Sequence, residues 1–308
     1  MIVLSGIGVV ATTVFVLGFF GNTWWGFDLV SAYRPQMTVL LGIVGAWLLI
    51  VRWWRTGGVT FVAAVVGAIN VIPMWIPNPV ATNATDELKI ISFNLLAANP
   101  RFDDVVQFVA ESEADLVFLH EASRPWEEAF VNAGLGYEIH NNRPDNAIFA
   151  TLLLAPPGAE VINYGFELDG DRSVEVHFVH DGVDISVLGI HPLAPTNERY
   201  AELRDHQLGQ AAEWSASIEH RRIVTGDFNA PTWSWAFRHL QNRSGLHNSQ
   251  RGFGLGLSFP TTTSVFLRTS IDHLLYSDGL TVVDRVLGPD LGSDHLPLTV
   301  TLLVTERS

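Results

Sequence analysis

Cysteine is absent from the 308 residues. Its absence removes thiolate nucleophiles, cysteine-ligated zinc and disulfides together, and leaves the compartment undecided. Charge is nearly absent from the first eighty residues, where Asp28, Arg34, Arg52 and Arg55 are the only charged side chains. Basic residues are scarce in the remainder. Setting aside that aspartate and those three arginines leaves 15 basic against 31 acidic side chains, a formal charge of −16. A domain this acidic repels polyanions unless it keeps a local basic patch or recruits cations, which counts against a nuclease of long DNA or RNA. The histidines show no zinc-ligand spacing, and internal repeats and low-complexity tracts are missing as well.

What the first eighty residues do contain is three apolar runs, Ile2–Phe20, Met37–Val51 and Val59–Ile76. A spanning helix needs about 20 residues, and the second run reaches that length with Trp53 and Trp54 at the interface. Trp24, Trp25, Trp47, Trp53, Trp54 and Trp75 lie mostly near the run ends, as an aromatic belt would place them. The expectation is a transmembrane anchor of about three helices (2–20, 37–54 and 59–76) within residues 1–80. The alternative is a cleaved signal peptide followed by soluble core helices. Against it, the first run lacks a basic flank, and Gly18-Phe19-Phe20-Gly21 is a poor cleavage site. The short loop Arg52–Gly58 carries two arginines, whereas Gly21–Gln36 sets Arg34 against Asp28. The positive-inside rule then places the amino terminus in the cytoplasm and everything after Ile76 outside, in a multi-pass cell-membrane protein. Pro73, Pro77 and Pro79 mark the end of the third helix, and residues 81–87 read as a linker. The roughly ten residues from Ile76 to Asp86 reach at most about 35 Å, which keeps the following domain near the headgroups.

From Leu88 to about residue 305 the pattern becomes that of a mixed α/β domain. Strands are expected at Leu88–Phe93, Leu116–Leu119, Asp184–Ile190, Ile223–Thr225, Ile271–Tyr276 and Leu298–Val304, with helices at Phe102–Glu111 and Glu198–Glu219. Polar residues recur where strands end: Asn94, Glu121, His191, Asp227, Asn229, Asp272 and His295. Function concentrates at such exits, because a rigid strand aims the side chain that follows it.

These residue types suit phosphate-ester hydrolysis. The reaction calls for a divalent cation, a group that orients or deprotonates water, and donors for developing charge. Magnesium takes oxygen ligands. Asn94 and Glu121 offer an amide oxygen and a carboxylate, Asp227 and Asp294 two more carboxylates, and Asn229 two amide donors. His191 and His295 supply imidazoles, one of which Asp272 can orient.

Six landmarks occur in order: Ile91-Ser92-Phe93-Asn94, Leu119-His120-Glu121, Gly189-Ile190-His191-Pro192, Gly226-Asp227-Phe228-Asn229, Ser270-Ile271-Asp272-His273 and Gly292-Ser293-Asp294-His295. In this the chain resembles the endonuclease/exonuclease/phosphatase superfamily, the fold of deoxyribonuclease I, abasic-site endonucleases, neutral sphingomyelinases and inositol polyphosphate 5-phosphatases. The resemblance implies a four-layer α/β (α+β) sandwich, two mostly antiparallel sheets flanked by helices, over residues 88–305. It implies that Asn94 and Glu121 hold Mg2+ or Mn2+, with Asp294 supporting the metal or the His295 side. It implies that Asp227 orients or deprotonates water, that Asn229 and His191 hold the phosphate, and that Asp272 pairs with His295, which contacts the scissile phosphate. Whether Asp227 or His295 is the base stays open. The family's Ser-Arg pair near residues 145–155 is missing from Asn146–Ala155, which removes an expected arginine contact to substrate.

Three functions follow. The first is a phosphodiesterase or phosphatase acting on a lipid-linked or other phosphorylated small molecule in the envelope. The second is an extracytoplasmic nuclease, disfavoured by the lack of a basic cluster. The third is an inactive domain that keeps its cleft for binding. Protein partners leave no mark in the sequence. Of the features outside the constellation, Arg221-Arg222 reads as a solvated pair at a helix end, and His273 as packing against its strand. Gly252–Gly256 follows no strand, so it is not expected to cradle phosphate. Phe253, Leu255, Leu257, Phe259 and Phe266 read as core or as an apolar lip of the cleft.

Overall fold

A computed structural model describes residues 2–78, 84–141, 150–164 and 173–305. Helix α1 (Ile2–Leu17), the short α2 (Trp25–Val30), α3 (Arg34–Ile50) and α4 (Trp54–Val71) form an antiparallel bundle. Small residues make its seams. At Gly45 of α3 a Cβ would stand 2.7 Å from the Phe61 backbone nitrogen of α4, so only glycine allows that approach.

Among the described residues two stretches are long and apolar enough to cross a membrane, Trp25–Ile50 with 26 residues and Trp54–Trp75 with 22. The first expected span, residues 2–20, does not reach that length, and the second, expected over 37–54, ends at Ile50, with Trp54 opening α4 instead of extending it. The first apolar run goes on to Phe20, but the helix stops at Leu17, because the Arg34 guanidinium caps the Gly18 carbonyl at 2.9 Å and the chain turns there. In the most apolar 18-residue window of each stretch only 33% and 39% of the residues are buried, so large apolar side chains face outward along both.

The rest of the described chain is a four-layer sandwich of two six-stranded sheets. The first contains β1 (Ala84–Asn94), β2 (Leu116–His120), β3 (Glu138–Asn141), β4 (Leu152–Ala155), β11 (Leu280–Leu287) and β12 (Leu298–Thr305), in the order β11-β12-β1-β2-β4-β3. The second contains β5 (Glu160–Tyr164), β6 (Ser173–His180), β7 (Val183–Ile190), β8 (Arg221–Asp227), β9 (His247–Asn248) and β10 (Asp272–Tyr276), in the order β5-β6-β7-β8-β10-β9. Each sheet is antiparallel except for one parallel pair, β1 with β2 and β7 with β8. The expected mostly antiparallel sheets are therefore present. Strand β1 begins at Ala84, so the end of the segment read as a linker (81–87) already pairs with β12, while residues 81–83 lie outside the described residues.

Alternation along the strands sorts the layers. Leu88 and Ile90 of β1, Phe118 of β2, Val187 of β7 and Leu274 of β10 point between the sheets into one core. Ile91, Phe93, Val117 and Leu119 point the other way, against α5 (Phe102–Ser112) and α6 (Arg124–Ala133). On the opposite side Leu188, Ile190 and Val224 pack under α7 (Glu198–Ser217) and α8 (Trp235–Ser244). The same parity carries Asn94 inward at the end of β1, and turns Asp272 inward but His273 outward on β10.

The bundle is docked on the sandwich. The Gly252 and Gly254 N–H groups both donate to the Met74 carbonyl at 2.8 Å, and Leu255 packs with Val71, Met74 and Trp233. The glycine-rich segment Gly252–Gly256 is thus a clasp for the end of the last bundle helix. Gln36 Nε2 donates to the Arg268 carbonyl at 3.0 Å, and Trp233 Nε1 to the Asn70 carbonyl at 3.3 Å.

Candidate active site

Six strands deliver the site to one end of the sandwich. Asn94 closes β1 and Glu121 follows β2; His191 follows β7 and Asp227 closes β8. Parallel neighbours end at the same edge, so each parallel pair contributes two side chains. The other two strands run antiparallel and contribute from their starts, not from exits as expected. Asp272 opens β10 directly opposite Asp227, and His295 precedes β12. Asn94, Glu121, His191, Asp227, Asn229, Asp294 and His295 line one cleft of about 420 Å³ with Leu193, Ala194, Thr196, Tyr200 and Phe259. Asp272 lies beneath it, behind His295.

The Asn94 amide nitrogen sits 3.1 Å from both Glu121 Oε1 and Asp227 Oδ2. Glu121 also accepts from the Ala97 N–H at 3.3 Å. Asp227 Oδ2 lies 3.5 Å from His191 Nε2 and 3.6 Å from His295 Nε2. Its Oδ1 accepts from the Asn229 N–H at 2.9 Å, while Asn229 Nδ2 donates to the Pro192 carbonyl at 3.0 Å. Glu121 and Asn229 both have positive φ, 56° and 48°, a strained backbone that points each side chain out of its strand direction. His295 Nδ1 donates to Asp272 Oδ2 at 2.9 Å, and the His295 ring lies 4.5 Å from that of Phe259.

Electrostatics divides the roles. Burial opposes a charge on His295, but the Asp272 and Asp227 carboxylates outweigh it and push the imidazole up to about 10. Burial likewise opposes the Asp227 carboxylate, yet His295, His191 and the Asn229 N–H hold it well below the usual range. At neutral pH the site therefore holds an ionised Asp227 facing a protonated His295. Asp294 is raised, first by burial and also by the Glu121 charge. His120, buried beneath His191, is pushed down to about 3 by burial and by that neighbour, and stays neutral.

The sequence left several supporting residues unnoticed. Ser258 Oγ donates to Asp272 Oδ2, and Ser293 Oγ donates to the Asn94 carbonyl at 2.6 Å, pinning the His295 loop to the end of β1. Ser258 has no motif signal, and Ser293 lies inside the Gly292–His295 landmark without a role read for it. Arg221 and Arg222 are not a solvated pair at a helix end. They open β8, where Arg221 donates to the Thr305 carbonyl and Arg222 to Ser215 Oγ, each at 3.0 Å. His273 packs between Phe228 and Phe237, as expected. Of the segment Asn146–Ala155, residues 146–149 lie outside the described residues.

A buried cleft of converging carboxylates, amides and a charged imidazole, at the strand ends of a four-layer sandwich, is the frame of a phosphoester-handling domain. The chain belongs to the Endonuclease/Exonuclease/phosphatase family, whose model matches residues 91–295. Members of that family are phosphoester hydrolases, among them nucleases, phosphodiesterases and phosphatases, and they use divalent metals. Solved structures share the fold. D. rerio TDP2 complexed with single-strand DNA product has a TM-score of 0.60 at 16% identity, covering 71% of this chain and 99% of that one. An endonuclease/exonuclease/phosphatase from Bacteroides vulgatus has 0.59 at 15%, covering 71% and 100%. C. elegans TDP2 has 0.57 at 15%, covering 88% and 94%. The comparison with curated proteins found no match.

Proposed function

We propose that the chain is a membrane-anchored, divalent-metal-dependent phosphoester hydrolase, a phosphodiesterase or phosphatase acting outside the cytoplasm on a lipid-linked or other envelope phosphate. The observation that carries the reaction is the convergence of seven of the eight candidate residues in one cleft, with Asp272 held behind His295. The donors suit Mg2+ or Mn2+. Glu121 and Asp227 bring carboxylate oxygens to the same Asn94 amide, and Asp294 is raised partly by Glu121, so negative charge converges among hard oxygen ligands.

Asn94, Glu121 and Asp294 would hold the ion, which would supply charge neutralisation at the phosphate oxygens. Asp227 accepts a hydrogen bond from the attacking water and so orients it. Asn229 and His191 hold the phosphate. The His295 imidazolium donates its Nε2–H to the scissile group as charge grows there, and Asp272 keeps that ring charged and aimed. Asp227, Asp272 and His295 also present ligand atoms within 4.8 Å of one another. His295 already supplies the cation in that trio, so we assign it to proton handling instead of metal binding.

Two features support action at a membrane surface. The bundle exposes apolar side chains outward, and its arginine-bearing loop at Arg52 and Arg55 lies at the end opposite the Gln36, Asn70 and Met74 contacts to the sandwich. The cleft is also close to the anchor. Tyr200 lines it, and Arg204, about one 5.4 Å helical turn further along α7, bonds to Asp28 of the bundle. A nuclease is the second reading, favoured by the structural likeness to D. rerio TDP2 complexed with single-strand DNA product. Against it, no lysine or arginine among the described residues lines the cleft.

The test uses the full chain in lipid nanodiscs, offered polyprenyl phosphates, phospholipids, inositol phosphates, an aryl phosphodiester and plasmid DNA, with and without Mg2+ or Mn2+. We expect metal-dependent turnover of a lipid or small phosphate, lost in Asp227→Ala and His295→Ala. Preferred cleavage of DNA selects the nuclease, and no turnover at all selects the binding module.

A further inference from the structure

We infer that Asp28, from the N-terminal bundle, is a positioning residue for the phosphate-holding corner of the cleft, acting through Arg204 on Asn229. The inference rests on the proposed role of Asn229 and adds a part of the molecule that the family's sandwich does not contain. Asp28 and Arg204 are 2% and 1% exposed, although they come from segments 176 residues apart. Arg204 Nη2 donates to Asp28 Oδ2 at 2.9 Å, and Arg204 Nη1 donates to the Asn229 carbonyl at 3.0 Å. The second Asp28 oxygen accepts the Trp235 N–H at the start of α8. The chain closes tightly round this carboxylate, for at Gly21 a Cβ would stand 2.5 Å from Asp28 Oδ1.

Charge neutralisation does not account for Asp28. Asp205 already gives Arg204 a counter-ion, with its Oδ1 2.9 Å from Nε and 2.7 Å from Nη2. What Asp28 adds is direction. The guanidinium is a rigid planar fork, so fixing Nη2 from the bundle side fixes where Nη1 points. Nη1 points at the carbonyl of a residue held at φ 48°, whose N–H is on Asp227 and whose side chain is on Pro192. Arg204 is the third of these holds, and among the described residues the one that comes from α7 instead of the strand ends and their loops. The bundle thereby reaches the cleft through two side chains, so docking of the anchor and geometry of the site are coupled.

The experiment compares full-length wild type in nanodiscs with Asp28→Asn, Arg204→Lys, the double variant and Gln36→Ala. Inorganic phosphate binding is read by calorimetry in the presence of Mg2+, alongside aryl phosphodiester hydrolysis. Arg204→Lys keeps the charge and most of the packing but loses the fork, so it remains informative if Asp28→Asn unfolds. Gln36→Ala breaks a different bond between bundle and sandwich and is the control for docking alone. We expect phosphate affinity and kcat to fall at least about ten-fold in Asp28→Asn and in Arg204→Lys, with the double variant no worse than Arg204→Lys and Gln36→Ala unchanged. Phosphate binding within two-fold of wild type in a folded Asp28→Asn or Arg204→Lys, losses that multiply in the double variant, or an equal loss in Gln36→Ala would overturn the inference. A wild type that binds phosphate but hydrolyses nothing defeats the proposed function and leaves the positioning role to be decided by the binding data. A wild type that binds no phosphate overturns both.

Discussion

The bundle and the sandwich solve opposite packing problems with the same apolar residues. In the sandwich, alternation buries Leu88, Phe118 and Val300 between sheets and leaves polar groups at strand ends. In the bundle the large side chains, Ile43, Val62 and Ile69 among them, face outward, and the small ones, Gly45, Ala63 and Ala64, face inward. Outward apolar faces are what the proposed membrane anchoring would account for.

That contrast can be tested at both ends. The largest effect belongs to the polar end of the sandwich: Asp227→Ala should lower metal-dependent hydrolysis by about 10³-fold, with the melting transition retained, in a steady-state assay. Next comes its core, where Phe118→Ala should cost about 3–5 kcal/mol by denaturant titration. In the bundle, Ile43 is 65% exposed. Ile43→Ala should stay within about 0.5 kcal/mol in the same titration. Ile43→Arg should instead weaken membrane insertion by about 2.5–3.5 kcal/mol, read as the fraction recovered in membranes. Unchanged partitioning of Ile43→Arg would show that α3 does not face lipid.

A pH-dependent effect tests the sandwich interior. His273 is fully buried between Phe228 and Phe237 and donates to the Ala230 carbonyl at 2.9 Å. Burial holds its pKa down at about 3, against 6.5 when exposed. As pH falls below 6.5 the unfolded chain takes up a proton that the folded one refuses, so stability is lost from there down towards pH 3. His273→Gln should make the fall between pH 6 and pH 4 shallower by about 1.4 kcal/mol per unit, measured by urea titration at each pH.

The convergence of the candidate residues was legible in the sequence because they sit beside strands with their own period-two signal. Asn94, Asp227 and His191 needed only the strand and its last residue. The bundle was legible less accurately, since hydropathy counts Gly18, Phe19 and Phe20 as helix while the Arg34 cap turns the chain at Gly18. Least legible were pairings across long separations. Nothing near Arg204 announces Asp28, and nothing near Asp272 announces Ser258. The bonds from Gly252 and Gly254 to the Met74 carbonyl are likewise encoded by no local pattern.

The glycine of Gly189-Ile190-His191 faces Phe118 across the inter-sheet core, and a Cβ there would overlap the Phe118 ring. One sheet carries Asn94 and Glu121, the other His191 and Asp227. The spacing between the proposed metal-holding and water-orienting halves is therefore a spacing between two slabs, with Gly189 and Phe118 as the shim. A single methyl group added in the dry core would act as a wedge, opening the reaction gap without touching any group that takes part in the reaction.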